Sequence, residues 1–294
     1  MKRVLAITSR NGQFGNRLQA AAYALSAACE YNAEARLFCL EGYEKQLRNW
    51  ANKPLRKILN KLQRKALTRV SRSKLLQRLL SCRVLEGTNQ HPLILSSPQA
   101  RDTIRQSRLT IVTGYYIYAD PRLLLKHRER IGQTLALNTS ATDLEVISHM
   151  RADKQTVLVG MHIRRTDYKE YNNGEYYYPI SQYESLAHSI AQDAAPAAVR
   201  FVICSDEEIS QGAFEGLDWR PGPGTAVGDM QAMAHCDYLL GPPSTFNRWS
   251  AFIGAVPRYE IHKSDTQVQL SDFRLQEDLT YPGDWRASPP PDHS

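Results

Sequence analysis

TVLVGMHIRRTDY, residues 156–168, reads as a strand that runs into a cluster of charges. The apolar run from Thr156 to Ile163 is bounded by polar residues, the pattern of a strand covered on both faces in a parallel sheet. It leads without a break into His162, Arg164, Arg165 and Asp167. Open α/β sheets bind ligands beyond the carboxyl ends of their strands, so charges that begin where such a strand stops are placed for binding. Side chains alternate along a strand, which puts His162 and Arg164 on one side if the extension continues. Adjacent guanidiniums repel, and a phosphate or pyrophosphate would offset that through bidentate, charge-assisted hydrogen bonds. A structural ion pair between Asp167 and one of the arginines is the other reading of the same residues.

Working outward, the second half alternates strands and helices. Helix Ile180 to Gln192 precedes strand Arg200 to Cys204, which ends in SDEE; after a Pro/Gly loop come helix Asp229 to His235, strand Tyr238 to Leu240, the turn GPPST, helix Phe246 to Gly254 and strand Pro257 to His262. In a parallel sheet three strand ends converge. The first carries His162, Arg164, Arg165 and Asp167, the second Ser205 and Asp206, the third Ser244 and Thr245 at a helix start, where hydroxyls and unpaired amides suit a phosphate. SDEE has no His or Cys at ligand spacing, so a surface loop is expected there and no metal.

The first half opens as strand (Val4 to Ile7), glycine turn (Gly12, Gly15), alanine-rich helix (Asn16 to Glu30) and strand (Leu37 to Leu40), a βαβ unit. Its GxxGN loop departs from the dinucleotide fingerprint GxGxxG and fits either a plain tight turn or an anion site at a helix start. Leu109 to Tyr118 reads as a buried strand, Pro121 to about Leu137 as helix, Leu137 to Thr142 as linker and Asp143 to Met150 as a short helix.

Charge is unevenly spread. The net +7 includes 13 Lys or Arg and no Asp or Glu between Lys45 and Arg83, leaving 24 basic against 30 acidic residues elsewhere. From Pro54, the apolar stripe Leu55, Ile58, Leu59, Leu62 and Ala66 has helical spacing and is flanked by basic residues; a second basic helix is expected from Ser73 to Leu80. Either the stripe packs and the basic face is solvated, or the segment lies on anionic lipid. Nucleic acid is not expected, since no reader motif accompanies the charge. The apolar start is too short for a signal peptide and no run reaches membrane-spanning length, so a cytoplasmic protein is the expectation, peripheral on the inner membrane face if residues 45–83 are the segment that lies on lipid. Five unpaired-looking cysteines are expected to be reduced thiols. No Walker A loop or nucleophile elbow is present.

HIRRTDY at 162–168 resembles the HxRRxD motif of the α1,2/α1,6/protein O-fucosyltransferase superfamily. CSDEE at 204–208 and DMQAMAHCDYLLGPPSTFNRWSAFIGA at 229–255 follow in the same order as that family's strand-end acid, acidic helix and STF-type turn. GQFGNRLQAAAYALSAA near the start is similar to the family's opening glycine-asparagine motif, and GYYIYADPRLL resembles the α1,2 group's GYFQS segment. Residues 41–108 and the tail match no motif. The resemblance implies a GT-B architecture of two facing doubly wound Rossmann-like domains with a cleft between them. It also implies inverting transfer of L-fucose from GDP-β-L-fucose to a glycan or lipid-linked acceptor, with no metal. The division expected is 1–140 on the acceptor side, with the basic insertion 45–83, 141–280 for the GDP-sugar, and a mobile tail 281–294.

Carried over by position, Arg164 matches the arginine on the donor pyrophosphate, His162 and Asp229 match residues that hold guanine, and Ser244 and Thr245 match the hydroxyl turn at the β-phosphate. Asp206 matches the strand-end acid near the nucleotide, and Gly15 and Asn16 match the loop that faces donor and acceptor. Arg165 is the second cation of the pair, tied to Asp167 in a partly structural role. The α1,6 group's catalytic glutamate falls on Asn172 here, so Glu175 is the favoured base, with Glu170 and Asp167 as alternatives. Thr166 resembles the α1,6 form and STFNRW the α1,2 form, so α1,2 linkage is favoured with α1,6 as the alternative. Transfer from another GDP-sugar, or a non-catalytic nucleotide- or membrane-binding protein, are the alternatives to fucosyl transfer.

Overall fold

The computed structural model describes residues 2–50, 54–151, 153–210, 212–275 and 279, leaving out the side chains of 54–57; the tail expected to be mobile lies outside the described residues. The chain divides into two compact units, Met1–Asn138 with Glu277–Ser294, and Thr139–Gln276.

In the first unit, β1 (Arg3–Ile7), α1 (Phe14–Glu30) and β2 (Ala33–Leu37) form the opening βαβ. Then follow α2 (Pro54–Arg72), α3 (Lys74–Leu79), β3 (Cys82–Gly87), β4 (Leu93–Ile94), α4 (Pro98–Gln106), β5 (Leu109–Gly114), β6 (Ile117–Tyr118), α5 (Pro121–Lys126) and α6 (Arg128–Thr134). The main sheet runs β2-β1-β5-β3, every pairing parallel. α1 is buried along Leu18, Ala21, Ala22, Leu25 and Ala28, small residues that let a helix lie close on the sheet. The Gln19 side chain donates to the Leu279 carbonyl at 2.8 Å.

Three expectations shift here. The second strand is Ala33–Leu37, and the apolar Phe38–Leu40 is a buried 3-10 turn. β2 is an edge strand, so its polar AEARL sequence suits one solvated face. The strand expected over Leu109 to Tyr118 breaks at Gly114, whose φ is +92° and where a Cβ would lie 2.0 Å from the Gly87 carbonyl oxygen. The long helix from Pro121 is two helices meeting at His127, whose Nε2 is 2.9 Å from Glu30 Oε2.

The second unit contains α7 (Ala141–Ser148), β7 (Val157–Ile163), α8 (Ile180–Asp193), β8 (Val199–Ser205), β9 (Asp218–Pro221), α9 (Ala226–Ala234), β10 (Tyr238–Gly241), α10 (Thr245–Gly254), β11 (Pro257–Glu260) and β12 (Arg274–Leu275). The sheet order is β12-β11-β10-β7-β8-β9, parallel except for β12. β7 is central and covered on both faces, as its unbroken apolar run requires. Val159, Met161 and Ile163 join α8 in one core, with Phe201 and Leu240. Leu158 faces the opposite core with Val202, Leu239 and residues of α9 and α10. β9 lies inside the stretch that reads as surface loop; Pro221 ends it at the sheet edge, where a residue without an N–H costs no ladder bond.

Candidate functional site

The chain leaves β7 toward β8 and β9 on one side, then returns through α9 to β10 on the other side. The carboxyl ends of β7 and β10 therefore flank the point where strand order reverses, and connections departing in opposite directions open a crevice there. The segments following these two strands bring together Arg164, from the end of β7, and the turn Pro242–Ser244, from the end of β10.

Arg164 carries the ion pair that the charge cluster allowed. Its Nε and Nη2 donate to the two Asp167 oxygens at 2.8 and 2.6 Å, holding that carboxyl below the usual carboxylate range. The guanidinium carbon lies 4.6 Å from the centre of the Tyr168 ring, and Nη1 reaches Ser244 Oγ at 3.5 Å. Two nitrogens are thus spent on fixing the fork, and the third points at a helix start. A preorganised arginine of this kind binds an oxyanion with little further loss of side-chain freedom.

Arg165 takes other partners than the Asp167 expected from the sequence. Its guanidinium approaches Glu207 Oε1 at 2.7 Å, donates to Tyr177 Oη at 2.7 Å and lies over the Tyr177 ring. Both arginines follow the end of β7 at Ile163, and in the turn that begins there Arg165 reaches toward SDEE after β8 while Arg164 reaches toward the end of β10. Asp206 accepts from the backbone N–H groups of Arg165 and Thr166 at 2.9 and 3.2 Å and from the Thr166 hydroxyl at 2.5 Å. It ties the end of β8 to the turn that carries the arginines.

His162 is buried on the α10 side, stacked on Phe246 with ring centres 5.2 Å apart. Gly241 permits this close approach, since a Cβ there would lie 2.9 Å from His162 Cβ. Burial, followed by the charges of Arg164 and Arg258, pushes the imidazole pKa down to about 3, so the ring is neutral. Its Nδ1 is buried without a hydrogen-bond partner, a cost that a bound polar group would remove. Asp229, buried in the first turn of α9, accepts from the Gly224 N–H at 2.8 Å. Burial raises its pKa to about 6.

That shift has a sign. Between the ordinary aspartate value and about 6 the folded protein keeps a proton that the unfolded chain gives up, so this residue's contribution to stability is lost as pH rises through that window. Asp229→Asn should match the parent near pH 4 and be more stable above pH 6, by at most about 3 kcal/mol. Urea unfolding of both proteins at the two pH values measures the difference, and a constant difference contradicts it.

Ser244 is the N-cap of α10, its Oγ accepting from the Phe246 N–H at 3.3 Å; Thr245 is the first helical residue. The turn before it is held from three directions. Tyr168 Oη donates to the Pro243 carbonyl at 2.6 Å, and Asn247 Nδ2 and Arg258 Nη2 donate to the Pro242 carbonyl at 2.9 and 3.1 Å. Arg258 also donates to Asn247 Oδ1 and to Glu260, which Arg248 reaches as well. Burial opposes the charge on Glu260, yet the two arginines keep its pKa lowered. Sequence reasoning passed over this network, although Arg258 and Glu260 stand two apart on one strand and share a face.

Glu175 is exposed, just after a 3-10 turn in which Asn172 and Asn173 have left-handed backbone, and it accepts from Asn172 Nδ2. Among the described residues no hydrogen bond or ion pair joins it to Arg164 or Ser244. Gly15 and Asn16 belong to the first unit. Gly15 is buried in the opening turn of α1, and Asn16 Nδ2 donates to Tyr115 Oη at 3.3 Å. Here too the glycine loop lies at a reversal of strand order, between β1 and β5, with Asn11 Nδ2 donating to the Gly114 carbonyl at 2.9 Å.

No protein-family model and no curated sequence matches the chain. Among solved structures, a mutant of Arabidopsis thaliana FUT1 in complex with GDP is similar, with a TM-score of 0.57 at 12% identity over 93% of this chain and 73% of that one. The fucosyltransferase NodZ from Bradyrhizobium gives 0.46 at 15% identity over 89% and 96%. The E. coli ADP-heptose lps heptosyltransferase II gives 0.41 at 10% over 91% and 90%. The likeness to FUT1 shows the fold, a GT-B-type pair of Rossmann-like units.

Proposed function

We propose that the protein transfers L-fucose from GDP-β-L-fucose to a hydroxyl of a glycan acceptor, with inversion and in α1,2 linkage. The observation that carries this reading is the Arg164 fork, fixed by Asp167 and aimed at the Ser244 helix start on the sheet's reversal point. The similar FUT1 structure holds GDP, which supports a guanine nucleotide here as well.

In this reading the acceptor oxygen attacks the anomeric carbon as the bond to the diphosphate breaks. Negative charge develops on the leaving GDP, and its stabilisation is the largest task of the site. Arg164 supplies a charged donor, while Ser244 and Thr245 offer hydroxyls at the positive end of α10. Arg165, anchored through Glu207 and Tyr177, positions the turn and adds charge behind it, and Asp206 fixes that turn. His162 offers its unpartnered buried Nδ1 and the Asp229 carboxylate accepts from guanine N–H groups. Gly15 and Asn16 serve the acceptor side.

Asp167 is committed to Arg164, which leaves Glu175 and Glu170, and Glu175 is the proposed base for the acceptor hydroxyl. Glu175→Gln should lower kcat roughly 100-fold with GDP affinity unchanged, as expected for loss of proton transfer alone. GDP release from GDP-fucose in the presence of β-galactoside acceptors measures it. Unchanged kcat removes Glu175 from the role, and a parent protein that releases GDP from GDP-mannose but not GDP-fucose contradicts the donor. The five cysteines are free thiols, four of them buried, which supports a reducing, cytoplasmic setting.

A further inference from the structure

Among the described side chains, the apolar stripe of α2 from Ile58 to Ala66 faces solvent. Ile58, Leu59 and Leu62 are 58%, 55% and 59% exposed, and Ala66, one turn further on, is exposed as well. The helix is held instead by Leu67 and Val70, which pack against Cys82 and Ile111 of the sheet. With 3.6 residues per turn, positions 58, 59, 62 and 66 share one face, turned roughly 100° away from the packed one. On α3, Leu75 and Leu79 repeat the pattern one turn apart, 68% and 71% exposed. Scattered exposed leucines are ordinary, but five large aliphatic side chains on two successive helices form a patch that calls for a partner.

The charge beside that patch says which partner. Lys61, Lys65, Arg69 and Arg72 are exposed along α2, and Lys74 and Arg78 continue the series on α3. Among the described residues of this segment the ion pair is that of Arg64 with Glu41, on the packed side. A second copy of the chain would bring the same positive surface against this one, and a nucleic acid would use the charge while leaving the leucines in water. An anionic bilayer satisfies both: aliphatic side chains enter the acyl boundary while the long basic side chains reach the lipid phosphates.

We propose that the exposed face of α2 and α3 docks the protein on an anionic membrane, lying in the interface without crossing it. Among the described residues no helix is long and apolar enough to span a membrane. This docking stands independently of the donor reading; where both hold, the acceptor is a glycan carried on lipid.

Flotation of the full chain with vesicles tests it. The protein should float with vesicles of equal parts phosphatidylcholine and phosphatidylglycerol, stay behind with phosphatidylcholine alone, and lose binding as salt is raised. Leu59→Ser/Leu62→Ser and Lys61→Gln/Lys65→Gln should each weaken partitioning at least about tenfold, since each removes one of the two contributions. Circular dichroism of both variants should match the parent, because the substituted side chains are exposed. GDP binding, read separately, should be unchanged, so failure of docking is distinguishable from failure of the donor site. The proposal is overturned if the parent does not float with phosphatidylglycerol, if it binds both vesicle types alike, or if the variants float as the parent does. It is equally overturned if the stripe variant abolishes a self-association seen by sedimentation and leaves flotation intact.

Discussion

Arg164→Ala should lower the rate of the proposed fucosyl transfer by roughly 100- to 1,000-fold, the loss expected when one donor to a developing oxyanion is removed. The fold should survive, because the residue left behind, Asp167, is 45% exposed and water can replace its partner. Arg164→Lys should recover little. An ammonium cannot hold both Asp167 oxygens and still direct a third nitrogen to Ser244, so it lacks the fixed geometry seen here. Steady-state GDP release, paired with a thermal melt to show that the variants are folded, makes the comparison. A rate within threefold of the parent would remove the leaving-group role.

Arg258→Met should have the largest effect on stability, a loss of about 3 kcal/mol by urea unfolding. The Arg258 side chain is 5% exposed and donates to the Pro242 carbonyl, Asn247 Oδ1 and Glu260 Oε2. Removing the cation leaves Glu260 with Arg248 alone and takes one of two donors from the carbonyl that holds the turn before α10. Because that turn carries Ser244, affinity for GDP should fall together with stability. Loss of stability with unchanged GDP affinity would mean that the network holds the sheet edge and not the site.

How much of this was legible in the sequence depended on the kind of pattern. β7 announced itself, because a short apolar run from Val157 to Ile163 that stops at two arginines fits a strand buried on both faces. α8, α9, α10 and β8 had clear periodicity and clear stops, and they lie within a few residues of their expected bounds. β3 was hidden, since RVLEG mixes polar and apolar residues and, among the described residues, lies at the sheet's edge beside β5. The partners of the two arginines were partly legible. Asp167, three residues from Arg164, is a local contact. Glu207 and Tyr177 reach Arg165 through tertiary structure that no local spacing reveals. The stripe on α2 was visible as periodicity, but its direction was not: the same spacing serves a packed face and an exposed one, and only the positions of Leu67 and Val70 separate the two.

In the proposed reading the second unit holds the GDP half of a sugar donor at the ends of β7 and β10. Isothermal titration of the protein with GDP, UDP and ADP tests it most directly. GDP should bind at least about tenfold more tightly than UDP or ADP, the discrimination expected when a buried acceptor is left unpaired by the wrong base. Asp229→Asn should erase that preference while leaving the weaker diphosphate contribution. Equal affinity for the three nucleotides, or a GDP preference unaffected by Asp229→Asn, would contradict the account.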